Sequence, residues 1–112
     1  MILPGTIVYA KPDPTVVGRE QAERRPFLVV SGVAFGQHIP ELAIAVPLTT
    51  RDRGLSHHVV ITGDNSGLDR PTWALCEQVR AVSTARLIKQ LGIADPDTLK
   101  AVRRVIAVFL EL

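Results

Sequence analysis

Two periodicities divide this chain, and their order constrains the fold more than any single residue does. Through residue 82 the apolar residues fall in short runs of strand formers, at 6–10, 26–31, 42–48, 58–62 and 73–82. Gly, Pro, Asn and Asp punctuate the stretches between them. Further on, the period lengthens. Asp95 is suited to cap a helix, Pro96 to open it, and Asp97 to place a negative charge in its first turn. Leu99, Val102, Ile106 and Phe109 then recur at helical spacing. Ala101, Val105, Val108 and Leu112 widen the apolar face, while Lys100, Arg103 and Arg104 mark the wet side. The pattern predicts a mainly β domain followed by a C-terminal helix. Continuous apolar triplets such as Leu28-Val29-Val30 predict strands covered on both faces. The apolar sector of the helix exceeds what one small sheet needs. Either a deeply buried helix or a contact with a second copy would account for it.

Length and composition narrow the class. A chain of 112 residues suits a single domain, 1–112, with one core and no need of covalent staples. Cys76 is the one cysteine, so an internal disulfide and a thiolate metal cluster are both excluded. The longest apolar runs, 42–48 and 105–110, fall well short of the roughly 18 residues that span a bilayer. The N-terminus Met-Ile-Leu-Pro-Gly lacks the basic region of a secretory signal. A soluble, cytoplasmic protein with no membrane partner is expected. Ten of the 13 basic residues are arginines, whose planar forks can grip phosphate at two points. Arginine richness admits a nucleic-acid partner without requiring one.

Common enzyme signatures do not occur: there is no phosphate-cradling glycine loop, no nucleophile elbow and no helical His-Glu-x-x-His. His57 and His58 are adjacent, and within a strand neighbours face opposite ways, so the pair is expected to be a poor metal site. His38 stands alone. All three histidines read as surface or structural residues. Three connections, 11–25, 49–57 and 63–72, are long for strand-to-strand turns, and long loops on a small rigid scaffold tend to carry function.

Several segments carry a more specific signal. The first is Asp13-Pro14-Thr15-Val16-Val17-Gly18-Arg19-Glu20-Gln21, followed by Arg24-Arg25-Pro26-Phe27-Leu28-Val29-Val30-Ser31. The second is Val46-Pro47-Leu48-Thr49-Thr50. The third is Ala74-Leu75-Cys76-Glu77-Gln78-Val79-Arg80-Ala81-Val82-Ser83, with Arg86-Leu87 after it. In this order and spacing, the chain closely resembles the MazF/PemK family of bacterial toxin endoribonucleases over nearly its whole length.

The resemblance implies a small SH3-like β-barrel of the CcdB/MazF type, forming a homodimer with single-stranded RNA in a groove built from both subunits. It implies sequence-selective cleavage without metal or cofactor, leaving a 2′,3′-cyclic phosphate and a 5′-hydroxyl. It also implies a cognate antitoxin whose acidic, flexible segment occupies the basic groove. Arg25 and Thr49 match the family's catalytic pair, and Glu20, Gln21, Thr50, Arg51 and Arg53 are candidate RNA contacts. Such a pair suits the chemistry. The RNA's own 2′-hydroxyl attacks phosphorus, so the protein needs donors for the phosphate oxygens rather than a nucleophile. Glu77, Gln78 and Arg80 are expected to form a buried polar network.

Four departures stand out: Arg19 before Glu20-Gln21, the doubled Val16-Val17, Ser31-Gly32-Val33 after the second strand, and Leu75 and Glu77 where some relatives carry a catalytic arginine and aspartate. Two rival functions remain open. One is a toxin of the same fold that inhibits DNA gyrase without cutting RNA. The other is an inactive binding module, although 4% aromatic residues supply few stacking surfaces for bases.

Overall fold

The alternation of apolar residues along three central strands decides the architecture. The computed structural model describes residues 2–11 and 25–112. Its strands are β1 (Thr6–Ala10), β2 (Arg25–Val29), β3 (Leu42–Thr49), β4 (His58–Val60), β5 (Trp73–Leu75), β6 (Arg80–Ser83) and β7 (Leu87–Ile93). Helix α1 (Val33–His38) precedes β3, and helix α2 (Pro96–Phe109) follows β7. Successive side chains on β1–β3 point to opposite faces. Ile7, Leu28, Val30, Val46 and Leu48 therefore join one buried cluster with Val102 of α2, with Leu99 and Ile106 packed against it. Val8, Phe27, Val29, Ala43 and Ala45 join a second cluster with Val82, flanked by Ile2 and Leu87. The expectation of strands covered on both faces is met.

The strands pair antiparallel in the order β4-β5-β3-β2-β1-β7, with β6 also on β3. This mainly β sheet with a C-terminal helix agrees with the expected fold class, but among the described residues no ladder joins β4 to β7. Strand pairing leaves the sheet open, so "barrel" describes it only loosely. Segment 62–67 bridges part of the gap instead. The Ile93 N–H donates to the Asn65 carbonyl at 2.8 Å, and the Asp95 N–H to the Thr62 carbonyl at 3.2 Å. This approach is tight enough to demand glycine. A methyl at Gly92 would meet the backbone of Asn65 and Ser66, and one at Gly67 (φ +73°) would meet the Leu91 carbonyl.

Three elements differ from expectation. The run 73–82 is two strands, β5 and β6, separated by a 3-10 turn at Cys76–Gln78. Strand β7 was not foreseen, because Lys89 and Gln90 interrupt its apolar pattern. It pairs only with β1 and keeps those polar side chains exposed. Helix α1 is one short segment with no buried residue and no side-chain N-cap, so it lacks both amphipathic and capping signals.

Helix α2 begins where expected. The Asp95 carboxylate accepts from the Thr98 N–H and the Thr98 hydroxyl, each at 2.8 Å, and from the Thr62 hydroxyl at 2.7 Å. At its far end Val108, Phe109, Leu110 and Leu112 are exposed, so Phe109 does not serve the core as its spacing suggested. The Thr62 hydroxyl, then the Thr98 N–H and hydroxyl, hold the Asp95 carboxyl below the usual carboxylate range. A depressed carboxylate contributes stability that is present above its unfolded pKa, about 3.9, and is lost as pH falls through the folded value. Asp95→Ala is expected to lower the Tm at neutral pH more than Asp95→Asn, which keeps a cap acceptor. The gap between wild type and Asp95→Asn should shrink below about pH 3, as thermal melts followed by circular dichroism would show.

Candidate functional site

Strand register brings the two principal candidate residues together. The β2–β3 ladder pairs Phe27 with Pro47, Leu28 with Val46 and Val29 with Ala45. Continued two steps beyond its last rung, the same count sets Arg25 against Thr49. The ladder itself stops short, because Pro26 and Pro47 have no N–H to donate. Arg25 is also held beside Ala10 of β1, and Thr49 beside Trp73 of β5. Each side chain therefore hangs from a strand end fixed on its other edge.

Arg25 and Thr49 line one groove of about 430 Å³, shared with Tyr9, Pro26, Thr50 and Arg70 among others. Leu48 and Thr72, both buried, form part of its wall. The Thr49 hydroxyl oxygen accepts from the Arg51 N–H at 3.2 Å. That bond occupies one lone pair and orients the side chain, leaving the hydroxyl proton available for a ligand oxygen. Arg70 and Asp69 approach only to 3.9 Å and are well exposed, so this pair contributes little and either partner can turn to a ligand. A groove lined by two arginines and three threonines can bind a phosphodiester, with the Asp69 carboxylate as the one anion in the lining.

The other candidates divide. Thr50 lines the groove, whereas Arg51 and Arg53 are exposed on the adjoining segment outside its lining. Arg51 acts on the groove through its backbone N–H. Glu20 and Gln21 lie outside the described residues. Tyr9 and Arg70 carried no individual sequence signal. Arg70 does lie within 63–72, one of the three connections whose length pointed to function.

Glu77 does not sit in a buried network. It lies on the 3-10 turn Cys76–Gln78, is exposed, and meets both histidines. His58 Nε2 is 3.1 and 3.2 Å from its two carboxylate oxygens, and His57 Nε2 is 3.6 Å from one of them. The alternation argument for the two histidines does not apply. His57 lies in the turn before β4 rather than in the strand, so both rings turn toward one carboxylate. Partial burial alone would raise the Glu77 carboxyl. The His58 hydrogen bond, a backbone bond and the charges of both imidazoles outweigh it and leave the group below its ordinary range. Arg80 places its guanidinium 5.1 Å from the Phe27 ring centroid. Among the described residues His38 bonds locally, to the Ala34 carbonyl at 2.9 Å.

Comparison with known proteins identifies the family. Residues 3–110 match the family described as "PemK-like, MazF-like toxin of type II toxin-antitoxin system". The chain is 31% identical to the endoribonuclease toxin MazF of Escherichia coli K12 over 107 residues, covering 95% of this chain and 91% of that protein. It is 29% identical to endoribonuclease EndoA of Bacillus subtilis over 110 residues, covering 96% and 93%. Among solved structures, a MazE–MazF structure from Deinococcus radiodurans superposes with a TM-score of 0.80 at 27% identity, over 99% of this chain and 97% of that one. The chain belongs to the PemK-like, MazF-like family of type II toxins.

Cys76 is a free, buried thiol. Burial, then the neighbouring Glu77 charge, pushes its thiol up to about 11. The native thiol should react with iodoacetamide at pH 8 about 100-fold more slowly than in the urea-unfolded chain, because thiolate rather than thiol is the nucleophile. Mass spectrometry of timed samples would measure the ratio.

Proposed function

We propose that this chain is a toxin endoribonuclease that cuts single-stranded RNA, chiefly mRNA, at selected short sequences in the groove between Arg25 and Thr49. Family membership supports the class. The observation that supports the site is that Arg25, at the start of β2, and Thr49, at the end of β3, line the same groove. The ribose 2′-oxygen attacks the adjacent phosphorus as the bond to the 5′-oxygen breaks. The products are a 2′,3′-cyclic phosphate and a free 5′-hydroxyl. Arg25 neutralises charge gathering on the nonbridging oxygens, and the Thr49 hydroxyl adds a neutral donor at the same centre. Arginine stays protonated throughout, so it serves as an electrostatic clamp and not as a base. Water or a phosphate oxygen can accept the 2′-hydroxyl proton, and water supplies the proton that the departing 5′-oxygen takes up. No step needs a metal.

Arg70 and Thr50 extend the phosphate-binding surface, with Arg51 and Arg53 on its approach. Glu20 and Gln21 remain proposed RNA contacts from the motif they share with Arg25. The setting is the cytoplasm, where mRNA is available. Among the described residues no helix is long and apolar enough to cross a membrane.

Two partners follow from the same reading. A cognate antitoxin is one, in keeping with the MazE–MazF structure of the Deinococcus relative, and the groove is the surface we propose it covers. A second copy covers an apolar face formed by α1, β3 and the end of α2, including Phe35, Ile39, Leu42, Ile106 and Leu110. An apolar surface of this kind on a small chain favours burial against a like surface.

In EDTA, purified protein should cleave a single-stranded RNA library at a restricted set of sites, with cyclic-phosphate ends at each cut. Arg25→Ala and Thr49→Ala should each reduce the rate by about 10²–10³ while leaving the circular dichroism spectrum unchanged. Near-wild-type cleavage by both variants would remove the assignment. Absence of cleavage combined with inhibition of DNA gyrase would replace the activity itself. Sedimentation equilibrium should give a dimer at micromolar concentration, and Leu110→Asp should shift it to monomer.

A further inference from the structure

Sharing no residue with the lining of the groove, His57, His58 and Glu77 form a compact set of donors. One ligand atom from each lies within 4.8 Å of the other two. Two separations are already close to those of a coordinated ion: His58 to Glu77 at 3.1 Å and His57 to Glu77 at 3.6 Å. Tetrahedral zinc, with bonds of about 2.0–2.1 Å, spaces its ligand atoms roughly 3.3–3.4 Å apart. His57 lies in a turn and is half-exposed, so its ring can swing to shorten the remaining edge. Glu77 sits on a 3-10 turn and offers two oxygens.

The surroundings favour a site over a chance surface pair. The His58 side chain is only 3% exposed, and its Nδ1 is buried with no hydrogen-bond partner among the described residues. The nitrogen offered to an ion is Nε2, which the buried ring already holds facing Glu77, while Nδ1 would still need a partner of its own. The Phe109 ring stands edge-on to His57 at 5.6 Å and shields one side of the cluster. The protein thus presents two imidazoles and a carboxylate beneath an apolar wall, with another side toward solvent.

We propose that His57, His58 and Glu77 bind one divalent first-row transition ion of zinc's chemistry, with solvent completing the coordination. Two nitrogens and one carboxylate oxygen suit zinc, cobalt or nickel better than magnesium or calcium, which prefer all-oxygen sets. The ion would pin the end of segment 50–57, which begins beside Thr49, to the turn at 76–78. It is a clamp and takes no part in cleavage, so the proposal stands apart from the cleavage mechanism.

The test uses untagged full-length protein freed of metal and titrated with zinc chloride in a non-chelating buffer by isothermal calorimetry. One ion per chain should bind with micromolar or tighter affinity, and zinc should raise the Tm. Cobalt should give the visible absorption of a low-symmetry site. His57→Ala and Glu77→Gln should each weaken zinc binding by more than the roughly 10–100-fold that losing an outer-shell partner costs. Both should also abolish the zinc-dependent rise in Tm. Glu77→Gln retains an oxygen for His58, which keeps the test free of a folding artefact, and His38→Ala should bind as wild type does. Millimolar or weaker binding by the wild type would overturn the proposal. So would tight binding unchanged in both His57→Ala and Glu77→Gln.

Discussion

The structure depends on β3 being paired along both edges. On one side it holds β2, and on the other it holds β6 along its first half and β5 at its end. A strand so confined cannot slip by one residue without exchanging its two apolar faces, and both faces are buried. Its register is therefore strongly specified, and so is the place where it ends. Thr49 is the last residue of that strand, and its position is set by packing some distance away. The precision a phosphate site requires is supplied by the core rather than by the loop that follows.

The partnership change on β3 also explains the turn between β5 and β6. One continuous strand at 73–82 would have to follow β3 along its whole length. Instead the chain leaves the ladder at Cys76–Gln78 and returns at Arg80, opposite Ala45. Cys76 fills the core at the break, while Glu77 is turned outward, where it meets the two histidines. The Leu75 and Glu77 departures from some relatives thus fall at or beside a break in the sheet, and neither residue lines the groove of Arg25 and Thr49. A second tie, from Asp95 to Thr62 and Thr98, fixes the start of α2 to the segment after β4. It helps join the two ends of an open sheet without a strand ladder.

Much of the fold was legible because short-range physics dominates there. β1, β2 and β3 bury both faces and therefore read as apolar runs, and α2 carries its cap and its period openly. β7 is an edge strand in which Lys89 and Gln90 face solvent, so alternation was masked. Helix α1 has no apolar stripe to detect. The facing of His57 and His58 differed from expectation because alternation was applied one residue before the strand begins. In the groove, Arg25 and Thr49 could be singled out through the motifs around them. Tyr9 and Arg70 could not, because the local sequence does not reveal which distant segments converge on a cavity.

By itself the sequence determined what each segment could become: strand formers between turn residues, a capped amphipathic helix, and a family pattern naming an arginine and a threonine. Those properties arise from neighbours within a few residues, where backbone sterics and side-chain periodicity act. Only the tertiary structure decided which segments meet. It brought Arg25 and Thr49 to one groove, broke 73–82 into two strands, and turned His57 and His58 toward one carboxylate. Contacts between residues far apart in the chain depend on register and packing summed over the whole core, and no local stretch contains that information.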